Sequence, residues 1–90
     1  MLQASVQVSN RLGLHARAAA QLVRVANEYK SQILIKREDT NAYADAKSIL
    51  SLLTLAASAG TQLTISADGA DEEPALKAVR ELFEGCFGEN

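Results

Sequence analysis

The hydrophobic period of this chain changes from two residues to about 3.6 within one short segment, Asn10–Ala20. Before the segment, apolar residues alternate with polar ones in the pattern of a half-buried strand, at Leu2, Ala4, Val6 and Val8. After it, apolar residues recur at helical spacing, at Ala19, Leu22, Val23 and Ala26. The chain therefore predicts a strand and then a helix that begins near Ala16, with the sole histidine, His15, at the junction.

The rest of the chain repeats the same two periods. Strand patterns occur at 32–37, 42–44 and 62–67, and helical patterns follow Ser48 and Asp71. We expect Ala59-Gly60 to end the second helix and Gly85 or Gly88 to end the third. The predicted order is βαββαβα, and strands that each need one covered face imply a two-layer α+β sandwich. Ninety residues are enough for one domain and too few for two, so residues 1–90 are predicted to form a single domain.

Composition argues against several classes of partner and site. The chain has no Trp, two Tyr and two Phe, so few rings are available to stack on bases, and nucleic acid is not an expected partner. Cys86 is the one cysteine, which excludes an intramolecular disulfide and suits a reducing compartment. The most apolar segment, Ile49–Ala57, is far shorter than the roughly 20 residues of a bilayer span. No leader pattern precedes the first strand, so we expect a cytoplasmic protein and no membrane contact.

Charge is distributed unevenly along the chain. Residues 1–37 carry six Lys and Arg and one acid, a net charge of +5, whereas residues 38–90 carry three bases and ten acids, a net charge of −7. His15 lies in the basic part, so an acidic protein partner that docks around it would gain electrostatic steering. The alternative is that these charges serve to solvate the surface.

The residue types around His15 would allow it to accept a phosphoryl group. A neutral imidazole nitrogen is nucleophilic near neutral pH because free histidine titrates at about 6.5. The first-turn amides of Ala16, Arg17 and Ala18 can donate to phosphate oxygens, and the Arg17 side chain adds a cation. No carboxylate lies within the motif to activate water for hydrolysis. The alternative is a histidine that caps the helix or lies on the surface without a chemical role.

Three segments resemble the histidine-containing phosphocarrier proteins of the bacterial phosphotransferase system, the HPr family. They are Gly13-Leu14-His15-Ala16-Arg17, Asp45-Ala46-Lys47-Ser48-Ile49-Leu50 and Gly69-Ala70-Asp71-Glu72-Glu73. The resemblance extends over nearly all ninety residues. It implies an open-faced sandwich, with a four-stranded antiparallel sheet covered on one face by three helices.

The same resemblance implies a mechanism and partners. His15 would accept phosphate at Nδ1 from phosphorylated enzyme I, with Arg17 as its site partner, and pass it to an EIIA-type acceptor. Such a carrier is a substrate of its partners rather than an enzyme, acts as a monomer, and needs no cofactor and no metal. One departure from the family stands at Ala18, where proline is usual. With alanine in place of proline, the chain either gains a backbone N–H that can donate to the phosphate or only has a looser entry turn to the helix.

Ser48 is a second position of interest. Its context, Lys47-Ser48-Ile49-Leu50, resembles the regulatory site of HPr proteins that an ATP-dependent HPr kinase/phosphorylase phosphorylates. The resemblance therefore implies regulatory phosphorylation at Ser48. The phosphate would add negative charge to an apolar docking face. The alternative is a serine that caps the second helix.

Partner contacts are expected around His15 and the first two helices. The expected contact residues are Leu14, Ala18, Ala19, Lys47, Ile49 and Leu52. Two branches of the family stay open: the acidic third helix and Leu82–Phe87 resemble the nitrogen-related NPr carriers, whereas Lys47-Ser48 resembles the sugar carriers. A hypothesis from another class is a protein-binding adaptor that is not phosphorylated. One His and one Cys offer no ligand set for a metallochaperone and no acid/base pair for a hydrolase.

Overall fold

The computed structural model describes residues 1–89. Its elements are β1 (Leu2–Gln7), α1 (Ala16–Ala26), β2 (Gln32–Arg37), β3 (Tyr43–Asp45), α2 (Ile49–Thr54), β4 (Gln62–Asp68) and α3 (Glu72–Glu84). A 3-10 turn, Cys86–Gly88, follows α3. The predicted order βαββαβα is confirmed, and α1 begins where its sequence pattern placed it.

The four strands form one antiparallel sheet in the order β1-β4-β2-β3. β4 lies between β1 and β2, and it pairs Leu63 with Val6 on one side and Ile65 with Ile35 on the other. All four side chains are buried, because residues paired across neighbouring strands share a face of the sheet. The sheet therefore has one apolar face that must be covered.

The helices cover that apolar face. α3 packs against β1 and β4, α2 packs beside β3, and α1 packs against both other helices. Leu22 of α1, Leu52 of α2 and Phe83 of α3 are each less than 2% exposed and meet the sheet in one core. The opposite face carries polar pairs such as Ser5 and Thr64, and none of the helices within residues 1–89 covers it. This arrangement confirms the open-faced two-layer sandwich.

The second helix is shorter than predicted. It ends at Thr54, and Ala56 has a positive φ of 51°, so the helix does not continue to Ala59-Gly60. The Arg37 guanidinium donates to the carbonyl oxygens of Leu55 at 2.8 Å and Ala56 at 3.2 Å. Arg37 of β2 thus provides hydrogen-bond donors for carbonyl oxygens at the C-terminal end of α2. The sequence pattern had instead predicted that a glycine ends this helix.

Two strand boundaries differ slightly from the predicted ones. β3 is Tyr43–Asp45 rather than 42–44, because Asp45 still pairs with β2. β1 ends at Gln7, and Val8 instead exchanges backbone hydrogen bonds with the turn at Gly60 and Thr61. The longest helix, α3, has 13 residues. Within residues 1–89, no helix has the length and apolar character needed to cross a membrane.

Candidate functional site

His15 is the N-cap residue of α1. Its backbone is extended, with φ −81° and ψ −178°, and its carbonyl oxygen accepts a hydrogen bond from the Ala19 N–H at 2.8 Å. Its imidazole Nδ1 accepts a hydrogen bond from the Arg17 N–H at 3.3 Å. Because this distance is longer than usual for an N–H donor, the side-chain cap is weak. Little free energy is therefore needed to release Nδ1.

A glycine turn sets the position of His15. Gly13 has a φ of +68°, and a Cβ at this position would lie 2.5 Å from the carbonyl oxygen of Ala57. The Leu14 N–H donates to that same oxygen at 2.8 Å, and the Leu14 side chain is buried. The loop before α1 is thus anchored to the segment that follows α2, which brings His15 and α2 to one end of the molecule.

A carboxylate from the far end of the chain contacts the histidine ring. His15 Nε2 lies 2.7 Å from Glu89 Oε2, and the two side chains are 24% and 16% exposed. The second oxygen, Oε1, accepts a hydrogen bond from Asn10 Nδ2 at 3.1 Å. Asn10 is buried and also donates to the Gly13 carbonyl oxygen at 2.7 Å. The motif around His15 holds no carboxylate in sequence, but the fold supplies one from 74 residues away.

The segment that carries Glu89 is held in place at several points. The buried ring of Phe87 packs edge-on against Phe83 of α3, with centroids 4.9 Å apart. The Phe87 carbonyl oxygen accepts a hydrogen bond from Gln21 Nε2 of α1 at 3.1 Å. Cys86 Sγ lies 3.2 Å from Ser9 Oγ. These contacts join the 3-10 turn to α1 and α3 and direct Glu89 toward His15.

The two partners of the imidazole define its neutral tautomer. A backbone N–H can donate and an ionised carboxylate can accept, so Nδ1 carries the lone pair and Nε2 carries the proton. Hydrogen bonds from Asn10 and then His15, with the nearby charge of Arg17, hold the pKa of Glu89 below its ordinary value of 4.5 and keep it ionised. The nitrogen available as a nucleophile is therefore Nδ1, at the N-terminus of α1.

This site matches a described family. The family model for the PTS HPr component phosphorylation site matches residues 2–85. The chain belongs to the HPr family. Phosphocarrier protein HPr of Neisseria meningitidis serogroup A is 40% identical over 89 residues, which cover 99% of this chain and 98% of that protein. Phosphocarrier protein NPr of Klebsiella oxytoca is 40% identical over 86 residues, which cover 96% of this chain and 94% of that protein.

A solved HPr structure has the same fold as this chain. The crystal structure of HPr-C-His from Thermoanaerobacter tengcongensis matches with a TM-score of 0.93 at 40% sequence identity, and the match covers 100% of this chain and 99% of that one. The predicted family and the fold that it implies are confirmed. Membership identifies the chain as a phosphocarrier of the phosphotransferase system.

The first turn of α1 presents the predicted phosphate-binding groups of this HPr-family chain. Ala16 and Arg17 are exposed, whereas the Ala18 methyl group is buried in the core. The Arg17 guanidinium lies close enough to Glu89 to lower the pKa of that carboxyl. No group of three or more metal-ligating side chains occurs within residues 1–89.

Several residues expected to contact partners are buried instead. Leu14, Ala18, Ala19 and Leu52 are at most 4% exposed, because each packs into the core between the helices and the sheet. This corrects the expectation that their side chains form part of a docking surface. Lys47 is half-buried, and its Nζ donates to the Tyr29 carbonyl oxygen at 2.8 Å, close to the end of α1.

The exposed apolar residues of α2 were partly missed. Ile49 is 41% exposed, Leu50 78% and Leu53 38%; we call these three residues the α2 patch. The sequence pattern singled out Ile49, Leu52, Leu53 and Ala56 as one stripe. The composition of α2, Ile49–Thr54, could have indicated this patch. The helix is apolar on nearly every side and is too short to bury all of its apolar side chains.

Ser48 is the N-cap residue of α2. Its Oγ accepts a hydrogen bond from the Ser51 N–H at 3.2 Å, and the residue is half-buried beside the α2 patch. Ser48 therefore caps the second helix, which is the alternative role expected from the sequence. The same position places the hydroxyl next to the exposed Ile49.

Sequence reasoning missed Glu89 and Asn10 as site residues. Asn10 stands in the motif, but its side chain gains a role through its burial and its bond to Glu89. No local pattern could have linked Glu89 to His15, because a contact across 74 residues depends on how α3 and the 3-10 turn pack.

Proposed function

We propose that His15 accepts a phosphoryl group on Nδ1 from the phosphorylated enzyme I of the system and passes it to an EIIA-type acceptor. The observation that carries this proposal is the pair of ring contacts, because Arg17 N–H and the Glu89 carboxylate leave Nδ1 as the basic nitrogen. Nδ1 also lies at the N-terminus of an 11-residue helix, where a phosphate is favoured.

The transfer step uses groups already in place. The Nδ1 lone pair forms the bond to phosphorus as the bond from phosphorus to the donor breaks, and the donor keeps that electron pair. The Arg17 N–H is released from Nδ1 and can then donate to a phosphate oxygen, with the neighbouring amides of Ala16 and Ala18. The Arg17 guanidinium supplies a mobile positive charge for the three oxygens.

We propose that both partners dock over His15 and the α2 patch. Gly13 and Leu14 anchor the His15 loop to the segment after α2, so the nucleophile and the exposed apolar side chains lie on the helical side of the molecule. The exposed Arg11 and Arg17 add positive charge for an acidic partner. We further propose that the carrier acts as a monomer in the cytoplasm.

Intact mass tests the proposal after incubation with enzyme I, phosphoenolpyruvate and magnesium. Wild type is expected to gain one acid-labile phosphate. His15→Asn is the matched variant, because asparagine retains the helix cap but has no nucleophilic ring nitrogen. It is expected to gain none. A wild type that stays unmodified with several active enzyme I proteins, while it still binds a partner, would favour the adaptor hypothesis.

The choice between the sugar and nitrogen-related branches is a question of acceptors. HPr and NPr relatives match this chain at the same 40% identity, so we propose the sugar branch on the Lys47-Ser48 context. Phosphorylated protein should transfer to a sugar-specific EIIA faster than to a regulatory nitrogen-related EIIA. The reverse preference, measured by loss of phosphate from the carrier, would assign the other branch.

We also propose Ser48 as a regulatory phosphorylation site of this carrier. A phosphate on Ser48 would add a charge of about −2 beside Ile49 and so weaken apolar docking on the α2 patch. Incubation with an HPr kinase/phosphorylase and ATP should label Ser48 and slow the phosphorylation of His15 by enzyme I. Ser51→Ala serves as the control, and labelling confined to sites other than Ser48 would remove the idea.

A further inference from the structure

We propose that Glu89 is a positioning residue for phosphoryl transfer, which holds the proton of His15 on Nε2 and offsets the positive charge of the phosphorylated ring. This inference rests on the proposed role of His15 as the phosphoryl acceptor. It assigns to the segment after α3 a part in the chemistry, in addition to its packing role.

The contacts of Glu89 are directional. Oε2 faces His15 Nε2 at 2.7 Å and Oε1 faces Asn10 Nδ2 at 3.1 Å. Asn10 meets Glu89 through Nδ2, which can donate but cannot accept, so it orients the carboxylate without competing for the proton of the ring. Asn10 is itself fixed by burial and by its bond to the Gly13 carbonyl oxygen. The Asn10–Glu89–His15 chain therefore aims Nδ1 at the N-terminus of α1.

The charge balance of the transfer explains why a carboxylate helps. When Nδ1 forms its bond to phosphorus and the donor leaves with the electron pair of the broken bond, Nε2 keeps its proton. The imidazole ring then carries a positive charge that the neutral ring lacked. Glu89 accepts the hydrogen bond from Nε2–H in both states, but the bond becomes stronger when both partners are charged. The same logic applies to a carboxylate that orients a catalytic histidine in a triad.

The charged and polar groups that face Glu89 are suited to this task. Arg17 acts on the carboxylate from α1, Asn10 donates from the loop before α1, and His15 donates from the N-cap. The positive charge of Arg17 limits the repulsion between Glu89 and an incoming phosphoryl group. Because Glu89 binds Nε2, on the other side of the ring from Nδ1, it can stay in place during the transfer.

Two readouts test this role on the full chain. Ring ¹⁵N chemical shifts report the tautomer of neutral His15, and stopped-flow transfer from phosphorylated enzyme I reports the rate. In wild type we expect the Nε2–H tautomer alone. In Glu89→Ala we expect a mixture of tautomers and a transfer rate lower by about tenfold or more. Glu89→Gln keeps an acceptor oxygen but loses the charge, so its rate should fall between the two.

The controls separate chemistry from folding. Glu81→Gln removes the same charge at an exposed position of α3 and should leave both readouts unchanged. Added formate, a small carboxylate, should restore part of the rate of Glu89→Ala, which a purely structural defect would not allow. A Glu89→Ala protein with wild-type tautomer and wild-type rate would overturn the proposal, and so would a slow variant with a wild-type tautomer and no formate rescue.

The two proposals can fail separately. If wild type takes no phosphate on His15, the proposed function fails, and the tautomer comparison still measures the effect of Glu89 on the ring. If wild type is phosphorylated and the Glu89 variants behave as wild type, the carrier role stands and the positioning role falls.

Discussion

At the scale of single residues, Ala18 is the departure from the family pattern that bears most directly on the site. It is the third residue of α1, and its methyl group is fully buried. Its backbone N–H belongs to the first turn, whose amides have no partner within the helix. A residue here can therefore affect the phosphate through its amide and the helix through its packing.

We predict that Ala18→Pro preserves phosphorylation of His15. Proline is tolerated in the first turn because it removes an amide that makes no intrahelical bond. The loss of one donor to the phosphate, at about 1 kcal/mol, should change the transfer rate by less than about tenfold. Intact mass and a time course with enzyme I measure both. Complete loss of phosphate, in a variant with an unchanged circular dichroism spectrum, would show that the Ala18 amide is essential.

At the scale of elements, Asp71 links α3 to the start of β2. It precedes α3 as the N-cap residue, yet its side chain makes no cap bond to the helix. Its carboxylate instead accepts hydrogen bonds from the Lys30 N–H at 2.8 Å, from the Ser31 N–H at 2.9 Å and from the Ser31 hydroxyl. Gly69 permits this approach, since a Cβ there would lie 2.7 Å from Ser31 Cα.

Asp71 should make the stability of the fold depend on acidity. The Ser31 hydroxyl, then the Lys30 N–H, lower the pKa of Asp71 below its ordinary value of 3.8. Because the pKa of Asp71 is lower in the folded than in the unfolded state, its ionisation stabilises the fold at pH values above the unfolded-state pKa of 3.8. This contribution is lost as the pH falls through 3.8 and then through the lower folded-state pKa. Asp71→Asn places a donor against the backbone N–H donors, so it should unfold at lower denaturant than wild type at pH 7.

The stability difference between wild type and Asp71→Asn, measured as a function of pH, tests this prediction. The gap between wild type and Asp71→Asn in urea midpoints should narrow as the pH falls toward 3, because wild type then loses the same ionised acceptor. Glu73→Gln, an exposed first-turn carboxylate of α3, is the control and should follow wild type closely at every pH. A gap that stays constant across the pH range would show that the ionisation of Asp71 contributes nothing.

At the scale of the whole molecule, the two sides of the sheet are chemically different. The helical side carries His15, Arg17 and the α2 patch, and the open side of the sheet carries polar residues and Tyr43. Since docking partners must reach Nδ1, we expect them to use the helical side alone. The open side then has no part in transfer.

Leu50→Gln should raise the KM for phosphorylation by enzyme I without a change in kcat. Leu50 is 78% exposed, and loss of its burial in the complex costs about 1.5 kcal/mol, or roughly a tenfold change in KM. Tyr43→Gln is the matched control, because Tyr43 is 68% exposed on the open side and should leave KM unchanged. Equal effects of the two substitutions on KM would argue against docking on the helical side.

The sequence by itself determined the order of elements and the place of His15 at the start of α1. Both depend on neighbours within a few residues: alternating or helical spacing sets the period of a segment, and an N-cap is defined by the turn that follows it. The motif around His15 also carried the family resemblance. These features can be predicted without knowledge of the tertiary structure because their physical causes are local.

Tertiary structure alone decided which groups surround the histidine and which apolar residues remain outside. Glu89 reaches His15 because Phe87 packs on Phe83 and Gln21 holds the 3-10 turn. α2 ends at Thr54, and Arg37 of β2 binds the carbonyl oxygens of Leu55 and Ala56, which follow the helix. Such contacts join residues far apart along the chain, so their energies depend on how the layers pack and leave no periodic pattern in the sequence.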